Sequence, residues 1–178
     1  FSCAEAYLRA GCLLSQLRNF GWYEGQENVG LGLIRKADQE SDVTASVKEE
    51  ILSKLIELSP NEKERCAALS RQISARESSN VASTAQRLQL SNLLADLGDS
   101  AGVRQSLEPV LWQFPQVNDD FDCRTVWKNM GRSYFLEGNY DLAKKWLAWL
   151  EDLESEWYLD DKKMLAETCY QLADFAAA

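Results

Sequence analysis

The stretch from Trp127 to Leu150 narrows the folds open to this chain more than any other. Large residues recur at Trp127, Met130 and Tyr134, a spacing that gathers them on one face of a helix. The small Gly131 sits among them, where a second helix can cross closely. Gly138 and Asn139 then break the pattern, and Ala143, Leu147 and Leu150 resume it on a following helix. Two short helices of this kind expose an apolar face that the pair cannot bury alone. The segment therefore calls for neighbours built like itself.

One such neighbour lies just upstream. Leu90, Leu94 and Leu97 line a helix ended by Gly98, Asp99 caps a second helix carrying Val103, Leu107 and Val110, and Pro115 closes the unit. Setting Gly98 against Gly138 puts Leu94 over Tyr134, Val103 over Ala143, Leu107 over Leu147 and Val110 over Leu150, a period of 40 residues. The upstream copy departs at Arg87, in the place of Trp127, and at Ser91, in the place of Gly131. Pro109 falls within its second helix and should bend it. Further back, Tyr7, Ala10, Gly11 and Leu14 stand 120 residues before Trp127, Met130, Gly131 and Tyr134.

Residues 21–28 read as a turn before a helix from Val29 to Ala37. Val47, Ile51, Leu52, Leu55 and Ile56 form the stripe of the next helix. After it, Ser59 as N-cap, Pro60 at the first helical position and Glu62 three residues past the cap start another, running to about Ala75. Leu172 and Phe175 belong to a last helix. The expected hairpins cover residues 3–37, 47–75, 81–114 and 121–153, with a terminal helix over 162–177. That makes about nine helices in one domain spanning 1–178.

These hairpins resemble the tetratricopeptide repeat (TPR) family, most specifically over residues 81–150. Their period exceeds that family's usual length of about 34 residues, which implies extended helices or loops between repeats. The resemblance implies an all-α fold, a right-handed superhelical stack of antiparallel helix hairpins of the α-solenoid kind. It also implies a non-catalytic scaffold or adaptor that binds another protein or peptide segment in a concave groove.

In that family the first helix of each hairpin lines the groove. Carried over, this puts Thr125, Lys128, Arg132 and Phe135 inward, with Asn92 at the place of Arg132 in the preceding hairpin. Lys128 and Arg132, one turn apart, can grip a carboxylate by charge-assisted hydrogen bonds, and Asn92 can bond an extended backbone. The arrangement is similar to the carboxylate clamp by which some TPR proteins hold the acidic C-termini of chaperones. It is incomplete here, because Leu88 and Leu52 stand where polar residues would help. The plainer alternative makes Lys128 and Arg132 surface charges paired with Asp96 or Glu137.

Composition supports the helical reading: with 46% hydrophobic residues the chain can build a core, and 9 glycines and 3 prolines are few for a many-turned β fold. A formal charge of −9 argues against nucleic acid as a partner. The acidic run through Glu151, Asp152, Glu154, Glu156, Asp160 and Asp161 reads as a solvated face. Its five cysteines are widely spaced and never form Cys-x-x-Cys, so neither a disulfide framework nor a zinc site is expected. An intracellular, cytoplasmic setting and no membrane insertion follow from the same features, with no apolar run long enough to span a bilayer.

Chemistry finds little footing. There is no histidine, and adjacent carboxylates such as Glu49-Glu50 point apart on a helix. Gly30-Leu31-Gly32 lacks the third glycine of a dinucleotide fingerprint. No catalytic residue, metal ligand or cofactor is expected. Trp127, Tyr134, Tyr140 and Trp146 read as core, while Trp149 and Trp157 either pack on a neighbouring repeat or anchor a ligand. The chain begins at Phe1 and ends in Phe175 and three alanines within a helical pattern, so it reads as a fragment of something longer. A second reading therefore makes it a regulatory or sensor segment of a larger multidomain protein, holding intramolecular contacts.

Overall fold

The structure, a computed structural model, describes residues 2–17, 27–41, 43–114, 121–150 and 159–172. Residues 21–26 of the expected turn, Pro115, the acidic run through Glu156, Trp157 and Phe175 lie outside them. The described residues form nine α-helices and no strand, so the fold is all-α. The helices are α1 (Cys3–Leu17), α2 (Glu27–Gln39), α3 (Ala45–Leu58), α4 (Glu62–Ser78), α5 (Thr84–Asp96), α6 (Ser100–Leu107), α7 (Phe121–Leu136), α8 (Tyr140–Leu147) and α9 (Leu159–Gln171). Two compact units divide the chain, Phe1–Ala82 with α1–α4 and Ser83–Ala178 with α5–α9.

In the first unit α1 and α2 pack closely at Gly11, where a Cβ would come within 2.7 Å of the Gly30 carbonyl oxygen and of Ile34. The buried face of α1 is Ala4, Leu8 and Gly11, while Tyr7, Ala10 and Leu14 are half-buried. The expected stripe is thus rotated slightly, with Gly11 kept at its centre. Of the expected α3 stripe Ile51, Leu52, Leu55 and Ile56 are buried and Val47 is half-buried, and in α4 Ala68, Leu69 and Ile73 are buried.

The start of α4 differs from the sequence expectation. Asn61, not Ser59, is the N-cap, its side chain accepting from the amides of Lys63 (3.0 Å) and Glu64 (3.3 Å). Ser59 instead closes α3, its amide donating to Leu55 O, and its hydroxyl bonds the Glu64 carboxylate. Both residues are good caps by type. The choice falls to Asn61 because Ser59 is held by Glu64, which is itself fixed by a two-bonded pair with Arg35 of α2 (2.7 and 2.7 Å). A second such pair joins α2 to α4, Arg71 to Asp38 at 2.7 and 2.8 Å, and Lys48 of α3 adds a third cation at 3.0 Å from Asp38.

In the second unit the two hairpins α5–α6 and α7–α8 repeat one another bond for bond at their turns. Gly98 and Gly138 have φ of +73° and +74°, the left-handed conformation that favours glycine after a helix end. Their amides donate to Ala95 O (3.1 Å) and Phe135 O (3.0 Å), and the next amides, of Asp99 and Asn139, to Leu94 O and Tyr134 O, both at 2.9 Å. Asp99 and Asn139 then cap α6 and α8 through the amides of Gly102 and Leu142.

Each second helix lasts eight residues and tightens into a 3₁₀ turn, over Glu108–Gln113 and Ala148–Leu150. Pro109 sits at the first of these, as the expected bend requires, yet the second forms without a proline. Val103, Leu107, Val126, Met130, Ala143, Leu147 and Leu150 form the core between the helices. Trp149 packs edge-on against both Trp127 (5.5 Å) and Trp146 (5.1 Å), so it joins that core.

Candidate functional site

Helix α7 carries its polar residues on two kinds of surface. Val126, Trp127 and Met130 are buried in the core, while Arg124, Thr125, Lys128 and Arg132 line a groove of about 260 Å³ facing α5. From α5 the wall is supplied by Asn92, Ala95 and Asp96. Four of the five residues picked from the sequence, Asn92, Thr125, Lys128 and Arg132, are thereby brought together. The fifth is not. Phe135 packs edge-on against Tyr140 across the turn, ring centres 5.7 Å apart, and belongs with the hydrophobic cluster of the hairpin.

The groove's floor is a buried amide. Asn129, 3% exposed, donates from Nδ2 to Ser91 Oγ (3.0 Å) and to Asn92 Oδ1 (2.7 Å). A buried amide costs free energy unless it is bonded, and these bonds fix how α5 and α7 register. Asn92, its Oδ1 engaged in this way, lines the groove beside Lys128 and Arg132.

Three cations face one carboxylate in the lining, a local excess of positive charge in a chain of net −9. Arg124, Lys128 and Arg132 recur every four residues, so they form one row along the helix. Glu137, weighed as a partner for this row, pairs instead with Arg104 of α6 at 2.7 Å. The Arg104 guanidinium also lies 4.9 Å over the Tyr134 ring. Arg104 thus ties one hairpin to the next beside the groove, while Asp96, the other carboxylate weighed for the row, lines the groove itself.

Arg124 and Asn129 are the site residues that the sequence reading passed over. Arg124 was within reach, since it repeats the four-residue step from Lys128. Asn129 is a lone amide between Trp127 and Met130, and only the packing of α7 on α5 reveals that it is buried.

Within the first unit a larger cleft of about 560 Å³ lies between α3 and α4, lined in part by Lys48, Glu49, Leu52, Gln72 and Arg76. Its charges are engaged: Arg76 pairs with Glu49 at 2.5 Å and Lys48 with Asp38. Among the described residues no three histidine, cysteine or carboxylate side chains gather as metal ligands. No helix among them is long and apolar enough to cross a membrane. Cys123 and Cys169 are buried, and burial pushes the Cys12 thiol above its ordinary pKa, away from the reactive thiolate form.

Comparison with protein-family models, with curated proteins and with solved structures finds no match to the chain. The chemistry open to the groove therefore follows from its own side chains: a row of cations for carboxylates, flanked by an amide suited to a peptide backbone.

Proposed function

We propose that the chain is a TPR-like α-solenoid module, a non-catalytic scaffold or adaptor that binds an acidic, extended segment of another protein in the α5–α7 groove. The observation carrying this reading is the convergence of Asn92, Thr125, Lys128 and Arg132 on one groove, with Arg124 extending the cationic row. Lys128 and Arg132 hold carboxylates by charge-assisted hydrogen bonds, and Asn92 holds a main-chain carbonyl. The floor bonds of Asn129 hold Asn92 in place before a partner arrives, so little ordering entropy is lost on docking. The net charge of −9 repels polyanions from the rest of the surface and leaves the groove as the place where an acidic segment is welcome.

The test is fluorescence anisotropy with labelled acidic and basic extended peptides. The chain should hold acidic peptides in preference to basic ones, and added salt should weaken the binding. Lys128→Glu/Arg132→Glu should reduce it at least tenfold, each tenfold corresponding to about 1.4 kcal/mol, with the helical circular dichroism unchanged. Equal binding by the variant would place the contact elsewhere.

A further inference from the structure

We infer that the cleft between α3 and α4 is a second binding site, for a small uncharged molecule with an aliphatic body and an N–H or O–H group to donate. At about 560 Å³ the cleft falls within the usual range of small-molecule pockets, roughly 300–1,000 Å³. Its lining belongs wholly to the first unit, so the site is complete there. Of the lining residues only Leu52 and Gln72 are buried, and these two form the floor.

The floor sets the hydrogen bond. Gln72, 7% exposed, donates from Nε2 to Ser53 Oγ at 3.1 Å. The Ser53 hydroxyl commits its one proton to Glu49 O, at 2.9 Å, so towards Gln72 it can only accept. This fixes which end of the Gln72 amide faces Ser53, and it leaves Gln72 Oε1 as an acceptor with no partner among the described residues. Oε1 is not among the unsatisfied atoms sealed from solvent, so a molecule from outside can reach it. An acceptor on a largely buried side chain favours a ligand that brings a donor.

The rest of the lining selects against charge and for aliphatic surface. Arg76 of α4 is paired with Glu49 of α3, Lys48 is paired with Asp38, and the floor carries no charge. A charged group brought to that floor would lose water without gaining a free counter-ion. Around Leu52 stand Val43, Ala45, Ala75 and Val81, and no aromatic ring lines the cleft. Val81 is 45% exposed, yet its backbone is tied: its amide donates to Arg76 O (2.8 Å), and Arg76 Nε donates to the next carbonyl, Ala82 O (3.1 Å). An aliphatic wall held in place beforehand loses little freedom when a ligand covers it.

The experiment follows amide shifts of the ¹⁵N-labelled full chain during titration with octanamide, methyl heptanoate and octanoate, three probes of equal heavy-atom count. Octanamide should move the amides of Leu52, Gln72 and Val81. It should bind about threefold to tenfold more tightly than methyl heptanoate, which has no proton to donate, that being the worth of one net hydrogen bond. The anion octanoate should bind least. Gln72→Met, which removes the acceptor at similar length, should level amide and ester. Ala75→Trp, at an exposed position of α4, should fill the cleft and abolish binding with the helical circular dichroism unchanged. An ester bound as tightly as the amide, or a preference that survives in a folded Gln72→Met chain, would overturn the assignment. So would an absence of shifts at these residues with all three probes, binding that survives Ala75→Trp, or tighter binding of N-acetyl-leucine methylamide than of octanamide, which would give the cleft to a peptide.

Discussion

A glycine inside a helix is a weakness or a requirement according to what a methyl group there would touch. At Gly131 a Cβ would lie 2.6 Å from Cγ and Cδ2 of Leu147, a fully buried side chain with no room to move. At Gly32 of α2 it would meet nothing within 4 Å. Gly131→Val should therefore destabilise the chain by about 2–3 kcal/mol through overpacking. Gly32→Ala should stabilise it by about 0.5–1 kcal/mol through helix propensity alone. Urea midpoints of the two variants measure both, and a similar shift for the two would contradict this account of the crossing. Gly131 was legible in the sequence because a small residue stood within a stripe of large ones. Asn129 was not, because its burial depends on Ser91 and Asn92 of another helix, and no local pattern brings those together.

At the scale of elements, legibility followed how local the deciding interactions are. The turns at Gly98 and Gly138 are settled by the chain's own nearest groups, a left-handed glycine and a side-chain cap, and the expected breaks stand where these act. The start of α4 is settled at long range by Arg35 through Glu64, which is why Ser59 misled. Phe135 misled for a related reason: its place on α7 could serve the groove, but Tyr140 beyond the turn offers it a ring to pack on.

The clasp of α2 on α4 makes a pH-dependent prediction. Hydrogen bonding to Arg71 holds the Asp38 carboxyl below its usual pKa, and Arg35 does the same for Glu64. A carboxylate depressed in the folded state contributes stability that is complete above its unfolded pKa, about 4, and is lost as pH falls through the lower folded value. Urea unfolding should accordingly show level stability from pH 7 to about 5, then a decline below about pH 4. Asp38→Asn should lower the plateau by about 1–2 kcal/mol and shrink the decline. An unchanged plateau would mean that solvent screening cancels the pair.

At the scale of the whole molecule, the two units carry their charges differently. In the first, Arg35, Arg71 and Arg76 each pair at the surface with a carboxylate of another helix. The second sets three cations in a row along one groove, in a chain whose net charge is −9. Binding rather than catalysis is the function proposed for that groove, and its location can be read residue by residue. The most direct measurement is an NMR titration of the ¹⁵N-labelled chain with an acidic extended peptide. The account predicts that amide shifts move at Asn92, Thr125, Lys128, Asn129 and Arg132 and stay still around Lys48 and Arg76 of the first unit. Shifts confined to the first unit, or none at saturating peptide, would contradict it.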